Sequence, residues 1–356
     1  MQDKQTVLHI TDRLSHRGGA DWHLSGVLRH PQCLNSHLLV GRTDPHVIAP
    51  CPLQIVPGLD ARIAQDCDLD PVVDSINPSH IHIHNVVNPV VLEWAADRDA
   101  MITIQDHRAF CPGRGKWKAD GSVCTDRFSK DNCAVCFDDT PYFEEIHALT
   151  ARRFAAIKRM RTIIVLSHYM RDELIEAGLQ ADAVHVIPPF VCALDTSARP
   201  TRSPCILFVG RLVEAKGVWD AVHAWRQAEL TYPLIFVGTG PLAAPLRKEG
   251  FHATGWVDRQ TLSQWYASAK AVIVPSRWQE PFGIVGLEAA AFGLPVVATA
   301  SGGIPEWHPG HGMVAPGDRY ALSQALRNWA KASIPPLEPF EPSALMDQLN
   351  TLYMTR

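Results

Sequence analysis

The residues best suited to chemistry lie in two stretches of the second half. "VGRLVEAKG" places Arg211 directly after an apolar run and Lys216 five residues on, at the entry to a helical pattern. A rigid guanidinium fork and a mobile ammonium on a strand-end loop would neutralise a leaving diphosphate. The longer stretch is "PSRWQEPFGIVGLEAAAFGLPVVATASGGIPE". Its loop carries Glu280, a helix is expected to start near Phe282 to Ile284, and Glu288 falls a turn inside it. Free N–H groups and the dipole at such a start favour an anion. Pro281, Phe282, Gly283 and Ile284 are therefore expected beside the phosphates. Glu280 and Glu288 flank that anion site as carboxylate acceptors, which suit sugar hydroxyls and not phosphate. "SGGIPE" adds a glycine turn where backbone could approach a ligand closely.

Each fragment also has a plainer reading. "VGTGP" alone is a simple turn, Arg211 alone a surface ion pair, Lys216 alone a solvated helix start, and Glu288 alone an exposed helix residue. Chance does not supply the whole set in register.

Three further groups lie in the first half. In "HITDRLSHRGGADWHLSGVL" a strand leads through Gly18 and Gly19 into a helix. This is either a plain βα turn or a backbone approach to phosphates or acceptor. "HIHIHN" puts His82 and His84 on one strand face. With no carboxylate or cysteine in register, strand histidines are the preferred reading over a metal site. "TIQDHRAFCP" ends a strand at Gln105, Asp106 and His107. Gln105 can donate a hydrogen bond but cannot act as a base; His107 could; Asp106 either orients a neighbour or caps the loop.

These groups need elements to hold them. The chain has 356 residues, 46% hydrophobic and 20% charged, enough for about two domains. A net charge of −4 argues against nucleic-acid binding. Short β-branched runs alternate with longer helical patterns, as in a buried parallel sheet with crossover helices. The first half gives "TVLHI", "HLLVG", "HIHIHN", "MITIQD" and "TIIVLS"; the second gives "CILFVG", "PLIFVG", "AVIVPS" and "PVVATA". Two doubly wound α/β domains facing a central cleft are expected, over residues 1–190 and 205–335. A proline-rich linker over 191–204 would join them. A final helix over 336–356, with a stripe of Leu345, Met346, Leu349, Leu352 and Tyr353, would pack back across the domains. The polar start lacks the pattern of a signal peptide, and no run of 18 apolar residues occurs, so a cytoplasmic protein is expected. "ARRFAAIKRMR" carries five basic residues; it is either a solvated helix or a peripheral contact with an anionic membrane face.

The second-half motifs, taken in order with "GWVD" between them, resemble the GT-B retaining glycosyltransferases of family 4 (group 1) over about Ile206 to Ala315. The resemblance implies a nucleotide-sugar donor (a UDP- or GDP-sugar), and a glycan, lipid-linked or small-molecule hydroxyl acceptor. A hexosyl unit would be transferred with retention, plausibly in polysaccharide or lipid-linked glycan assembly, and no metal cofactor would be needed for catalysis. Arg211 and Lys216 would bind the diphosphate, Glu280 the sugar hydroxyls, Glu288 the ribose, and Gly255 to Val257 the base. Many members carry a strand-end His-Asp where this chain has Gln105 and Asp106, so the histidine's role passes to Gln105, as a hydrogen-bonding group, or to His107. An epimerase or phosphorylase of the same architecture, or a non-catalytic nucleotide-sugar-binding subunit, are the alternatives. No G-x-G-x-x-G turn supports a nicotinamide enzyme.

Cys111, Cys124, Cys133 and Cys136 fall within 26 residues just after Asp106. Only the last two form a C-x-x-C. Some family-4 members resemble the chain here. A structural Zn²⁺, free thiols and a labile disulfide all remain open, and in the first case the segment is a scaffold beside the acceptor side.

Overall fold

The computed structural model describes residues 5–355. Met1 to Lys4, where the first expected domain begins, lie outside the described residues, as does Arg356, the last residue of the expected final helix. The chain divides into two compact units. The first comprises Met1–Ala119, Cys124–Pro189 and Pro342–Arg356; the second comprises Asp120–Val123 and Phe190–Glu341.

The first unit is built on a parallel sheet of seven strands. In chain order they are β1 (Thr6–Leu14), β2 (Asn35–Thr43), β3 (Leu53–Ile55), β4 (His80–His84), β5 (Met101–Ile104), β6 (Ile163–Val165) and β7 (Val184–Val186). Their spatial order is β3-β2-β1-β4-β5-β6-β7. All four residues of β5 and all three of β6 are buried, which is why the central strands read as continuous apolar runs. Leu8, Ile10, Ile83, Ile102 and Ile163 join one core with Leu92, Phe154 and Leu174 from the crossover helices.

The second unit repeats the plan with β8 (Cys205–Val209), β9 (Leu234–Val237), β10 (His252–Ala253), β11 (Ala269–Val274), β12 (Val296–Thr299) and β13 (Met313–Val314). The order is β10-β9-β8-β11-β12-β13, again parallel. Ile206, Phe208, Phe236 and Ile273 form its core with Val218, Leu246 and Leu322.

In each sheet the strand order reverses once: between β1 and β4, and between β8 and β11. Ligands of such sheets bind beyond the carboxyl ends of the strands at the reversal. The loops that matter are therefore those after β1, β4, β8 and β11.

Three sequence expectations change. Residues 190–204 are part of the second unit and no free linker: Asp195 N–H donates to Ser263 Oγ at 3.0 Å, and the Arg202 guanidinium lies 4.4 Å from the Trp265 ring centroid. The final helix is Pro342–Met354, and it is integrated into the first unit; residues 336–341 stay with the second. Leu345, Met346, Leu349 and Tyr353 are buried as the stripe requires, and Gln32 donates to Asp347 at 2.9 Å. The basic helix, Thr140–Ile157, is engaged within its own unit. Arg152 pairs with Glu93, Arg153 is buried and donates to the carbonyls of Val87 and Arg62, and the Lys158 ammonium lies 4.7 Å from the Phe154 ring centroid. Arg159 pairs with Asp97, and Arg161 lies 3.9 Å from Asp99. No helix among the described residues is long and apolar enough to cross a membrane.

Candidate active site

In the second unit two loops at the reversal are stapled together. Gly217 takes φ +68°, and a Cβ there would lie 1.8 Å from the carbonyl oxygen of Pro275. The N–H groups of Arg277 and Trp278 both donate to the carbonyl of Ala215, at 2.9 and 3.0 Å. Lys216 is thereby aimed at the loop after β11, where its ammonium donates to both carboxylate oxygens of Glu280, at 2.6 and 2.7 Å. Ser276 Oγ donates to the same carboxylate. The ring of Trp278 floors the pair, 4.8 Å from the Lys216 nitrogen and 5.6 Å from the Arg211 guanidinium carbon.

Burial pushes the Glu280 carboxyl up, but Lys216, Ser276 and Trp278 more than offset it and hold it below its usual value. Burial also works against the Lys216 ammonium; Glu280 supports it and the charge of Arg211 opposes it. Lys216 has three N–H donors and uses two on Glu280. One is left for an incoming oxygen anion. Arg211 is exposed and has no carboxylate partner among the described residues.

Behind Glu280 the "SGG" turn packs backbone on backbone. Gly302 sits at φ +58°, where a Cβ would meet the carbonyl oxygen of Glu280 at 2.2 Å, and Gly303 N–H donates to that carbonyl at 2.8 Å. This turn supports the Glu280 loop. Phe282 is buried and its carbonyl accepts from the Trp307 indole at 2.7 Å. The helix begins at Val285, with Ile284 as its cap, and is seven residues long. Pro281 and Gly283 lie in the loop between, Gly283 at φ +86°.

Glu288 is buried and engaged: Arg259 lies 2.5 Å away and the Tyr266 hydroxyl donates at 2.8 Å. Asp258 caps the helix Arg259–Ser268, which sets Arg259 on its first turn facing Glu288. Val257 is half-buried next to Gly255, at φ +84°, and the exposed Trp256.

The first unit gathers a second polar group at its own reversal. Gly18 caps the helix Gly19–Arg29, and its N–H donates to Asp21 at 3.0 Å. Its φ is −139°, so the turn does not require a glycine there. Gln105 is buried; its Oε1 accepts from Asn85 at 3.2 Å, and its Nε2 has no protein partner among the described residues. It lines a pocket of about 390 Å³ with Asn85, Asp106 and Arg108. Asp106 accepts from the Arg108 backbone and side chain, at 2.9 and 2.7 Å. Arg108 also feels the charges of Asp12 and Asp21, and Asp12 is raised by burial despite Arg108 and Arg13.

His107 is fully buried and lies 2.9 Å from the Tyr169 hydroxyl, with its ring edge-on to Phe110. His82 and His84 share a face as expected, but His9, from β1 in register with His82, joins them. Their ligand atoms lie within 4.8 Å of one another. Both nitrogens of His82 are occupied, at 2.7 Å from Tyr353 and from Thr103, and His9 contacts His84 at 3.0 Å and Ser36 at 3.3 Å. Nδ1 of His84 is buried with no hydrogen-bond partner among the described residues.

Sequence reasoning missed Ser276 and Trp278 as participants, although both stand in the quoted loop. It also missed Arg259 and Arg108, whose partners are distant in sequence.

Each unit is a doubly wound parallel sheet, and the second carries a cationic cradle at its strand-order reversal. Residues 203–331 match the family model described as glycosyl transferases group 1. The fold is that of GT-B structural neighbours. It is 34% identical over 156 residues to the D-inositol 3-phosphate glycosyltransferase of Xylanimonas cellulosilytica, 36% of this chain and 37% of that one. It is 32% identical over 203 residues to a glycogen synthase of Mycobacterium tuberculosis, 48% of this chain and 49% of that one. The chain spans less than half the length of these curated relatives. A crystal structure of Anabaena HepE in complex with UDP and glucose superposes with a TM-score of 0.70 at 17% identity, covering 99% of this chain and 100% of the other.

Proposed function

We propose that the protein transfers a hexosyl unit from a nucleotide diphosphate sugar to a hydroxyl acceptor, with retention of anomeric configuration. The observation that carries this reading is the Lys216–Glu280 pair at the β8/β11 reversal, with Arg211 beside it and without an anionic partner among the described residues. Arg211 and the third N–H of Lys216 bind the donor diphosphate. Glu280 fixes Lys216 and exchanges part of its hydrogen bonding to a sugar hydroxyl when donor binds. Glu288 takes a ribose hydroxyl while Arg259 and Tyr266 hold it, and Val257 and its neighbours border the base.

The acceptor oxygen attacks the anomeric carbon on the face the diphosphate leaves. The bond from that carbon to the phosphate oxygen breaks with its electron pair, and the acceptor proton passes to the departing phosphate. Arg211 and Lys216 stabilise the charge that develops there, the role a divalent ion would otherwise fill. Gln105 donates its amide N–H to donor sugar or acceptor, and Asp106 orients Arg108 at the same pocket; neither acts as a base. The acceptor class is a glycan, a lipid-linked glycan or a small hydroxylated molecule.

A thermal-shift screen with UDP- and GDP-sugars tests donor binding, because a ligand of the native state raises its melting temperature. UDP-sugars come first, since HepE has been crystallised with UDP-glucose. At least one should shift wild type and fail to shift Arg211→Ala. A flat response across both nucleotide classes would overturn the donor assignment.

A further inference from the structure

The four clustered cysteines share the wall of one pocket. Cys111, Cys124, Cys133 and Cys136 line one pocket of about 450 Å³ in the first unit, and none is in a disulfide. The backbone is shaped around the sulfurs. Gly115 at φ +74° and Lys116 at φ +60° are consecutive left-handed residues that turn the Lys116 N–H onto the Cys111 sulfur at 3.3 Å. Cys124 N–H donates to the Lys116 carbonyl at 2.8 Å, which returns the third strand of the loop to that knuckle. A short helix, Lys130–Ala134, presents Cys133, and the next turn brings Cys136 N–H to the Cys133 carbonyl at 3.1 Å. Gly113 sits between: a Cβ there would lie 3.8 Å from Cys136 Cβ and 3.9 Å from Cys111 Sγ.

We propose that these four side chains bind one Zn²⁺ as a closed, structural thiolate site. The donor set fits: four sulfurs around one pocket, an N–H···S contact of the kind that supports a ligating thiolate, and Arg114 among the lining residues to offset part of the excess negative charge. Zinc binding there would release the thiol protons to solvent. The sulfurs ring the pocket more widely than the 4.8 Å that unites the histidine trio. Bonds of about 2.3 Å to a shared zinc draw them inward. The occupied site would pin Cys111, Cys124, Cys133 and Cys136 together in the segment that follows β5 and Gln105. This inference is independent of the proposed transfer reaction, and its test needs no turnover.

The full chain, purified without a metal-binding tag and without added zinc, should contain about one zinc per molecule. Titration with a mercurial should release it as four thiols react. Replacing zinc with Co²⁺ should give the visible bands of tetrahedral cobalt thiolate. Cys133→Ser/Cys136→Ser should lose the metal; if that variant does not fold, the titration and the cobalt spectrum of wild type still decide. Zinc-free wild type with four freely titrating thiols, a Cys133–Cys136 disulfide in protein isolated anaerobically, or full zinc retention in the double variant would each overturn the proposal.

Discussion

The ammonium of Lys216 bridges both oxygens of Glu280, at 2.6 and 2.7 Å, across the strand-order reversal of the second sheet. Both side chains are largely withdrawn from water. A pair in that setting is coupled to stability as well as to chemistry.

Lys216→Met strands a buried carboxylate, so it should lower stability by about 3–5 kcal/mol and abolish transfer. Glu280→Gln alone should also abolish or severely reduce transfer. The double variant should recover much of the stability but none of the activity. Denaturant unfolding of the four proteins provides the cycle. Equal stability losses that simply add would contradict the coupling. Burial of the pair is the reason the fold itself should suffer.

Arg211 should behave in the opposite way. It is exposed and makes no ion pair among the described residues, so Arg211→Ala should change stability by no more than about 0.5 kcal/mol. Affinity for a nucleoside diphosphate should fall roughly tenfold or more, the loss of a charge-assisted contact. Calorimetric titration with UDP and GDP measures it. Unchanged affinity for both would remove Arg211 from the site.

Gly217 has no room for a methyl group, and its φ of +68° disfavours one. The obstacle is backbone at Pro275, which cannot swing aside. Gly217→Ala should cost about 2 kcal/mol or more and displace Lys216 from Glu280. Melting temperature and transfer rate should fall together; a stable, fully active variant would show that the two loops are not stapled here.

Acid should weaken the first unit through its histidines. Burial lowers His9 to about 3 and His23 to about 4, and His84 lies well below 6.5. Their stabilising contribution is complete above the unfolded value near 6.5. It is lost as pH falls towards the folded values, because the unfolded chain takes up protons that the native one refuses. Each such group costs about 1.4 kcal/mol per pH unit over that interval. Unfolding free energy measured from pH 7 to 5 should fall steeply. A flat profile would mean that these histidines are hydrated.

Much of this organisation was legible in the sequence. All nine apolar runs are strands, because central parallel strands are buried on both faces. The four strands that were not foreseen, β3, β7, β10 and β13, are the four sheet edges, only two or three residues long. Nothing in so short a run distinguishes strand from loop. The loops bearing Arg211, Lys216 and Glu280 were readable because their types and order are dictated by a local βα turn. What Glu280 and Glu288 touch was not, since Lys216 is 64 residues from Glu280 and Arg259 is 29 from Glu288. The partner of His107 was hidden for the same reason: Tyr169 is 62 residues on and arrives from another helix.

The central claim is that the cradle at Arg211, Lys216 and Glu280 acts on a nucleotide diphosphate sugar. The most direct measurement is release of nucleoside diphosphate from UDP- and GDP-sugars in the presence of hydroxylated acceptors, with the product anomer read by NMR. Wild type should release one nucleoside diphosphate per glycoside formed, with the donor's configuration kept, and Lys216→Met should release none. Turnover by Lys216→Met equal to that of wild type, or an inverted product, would contradict the account.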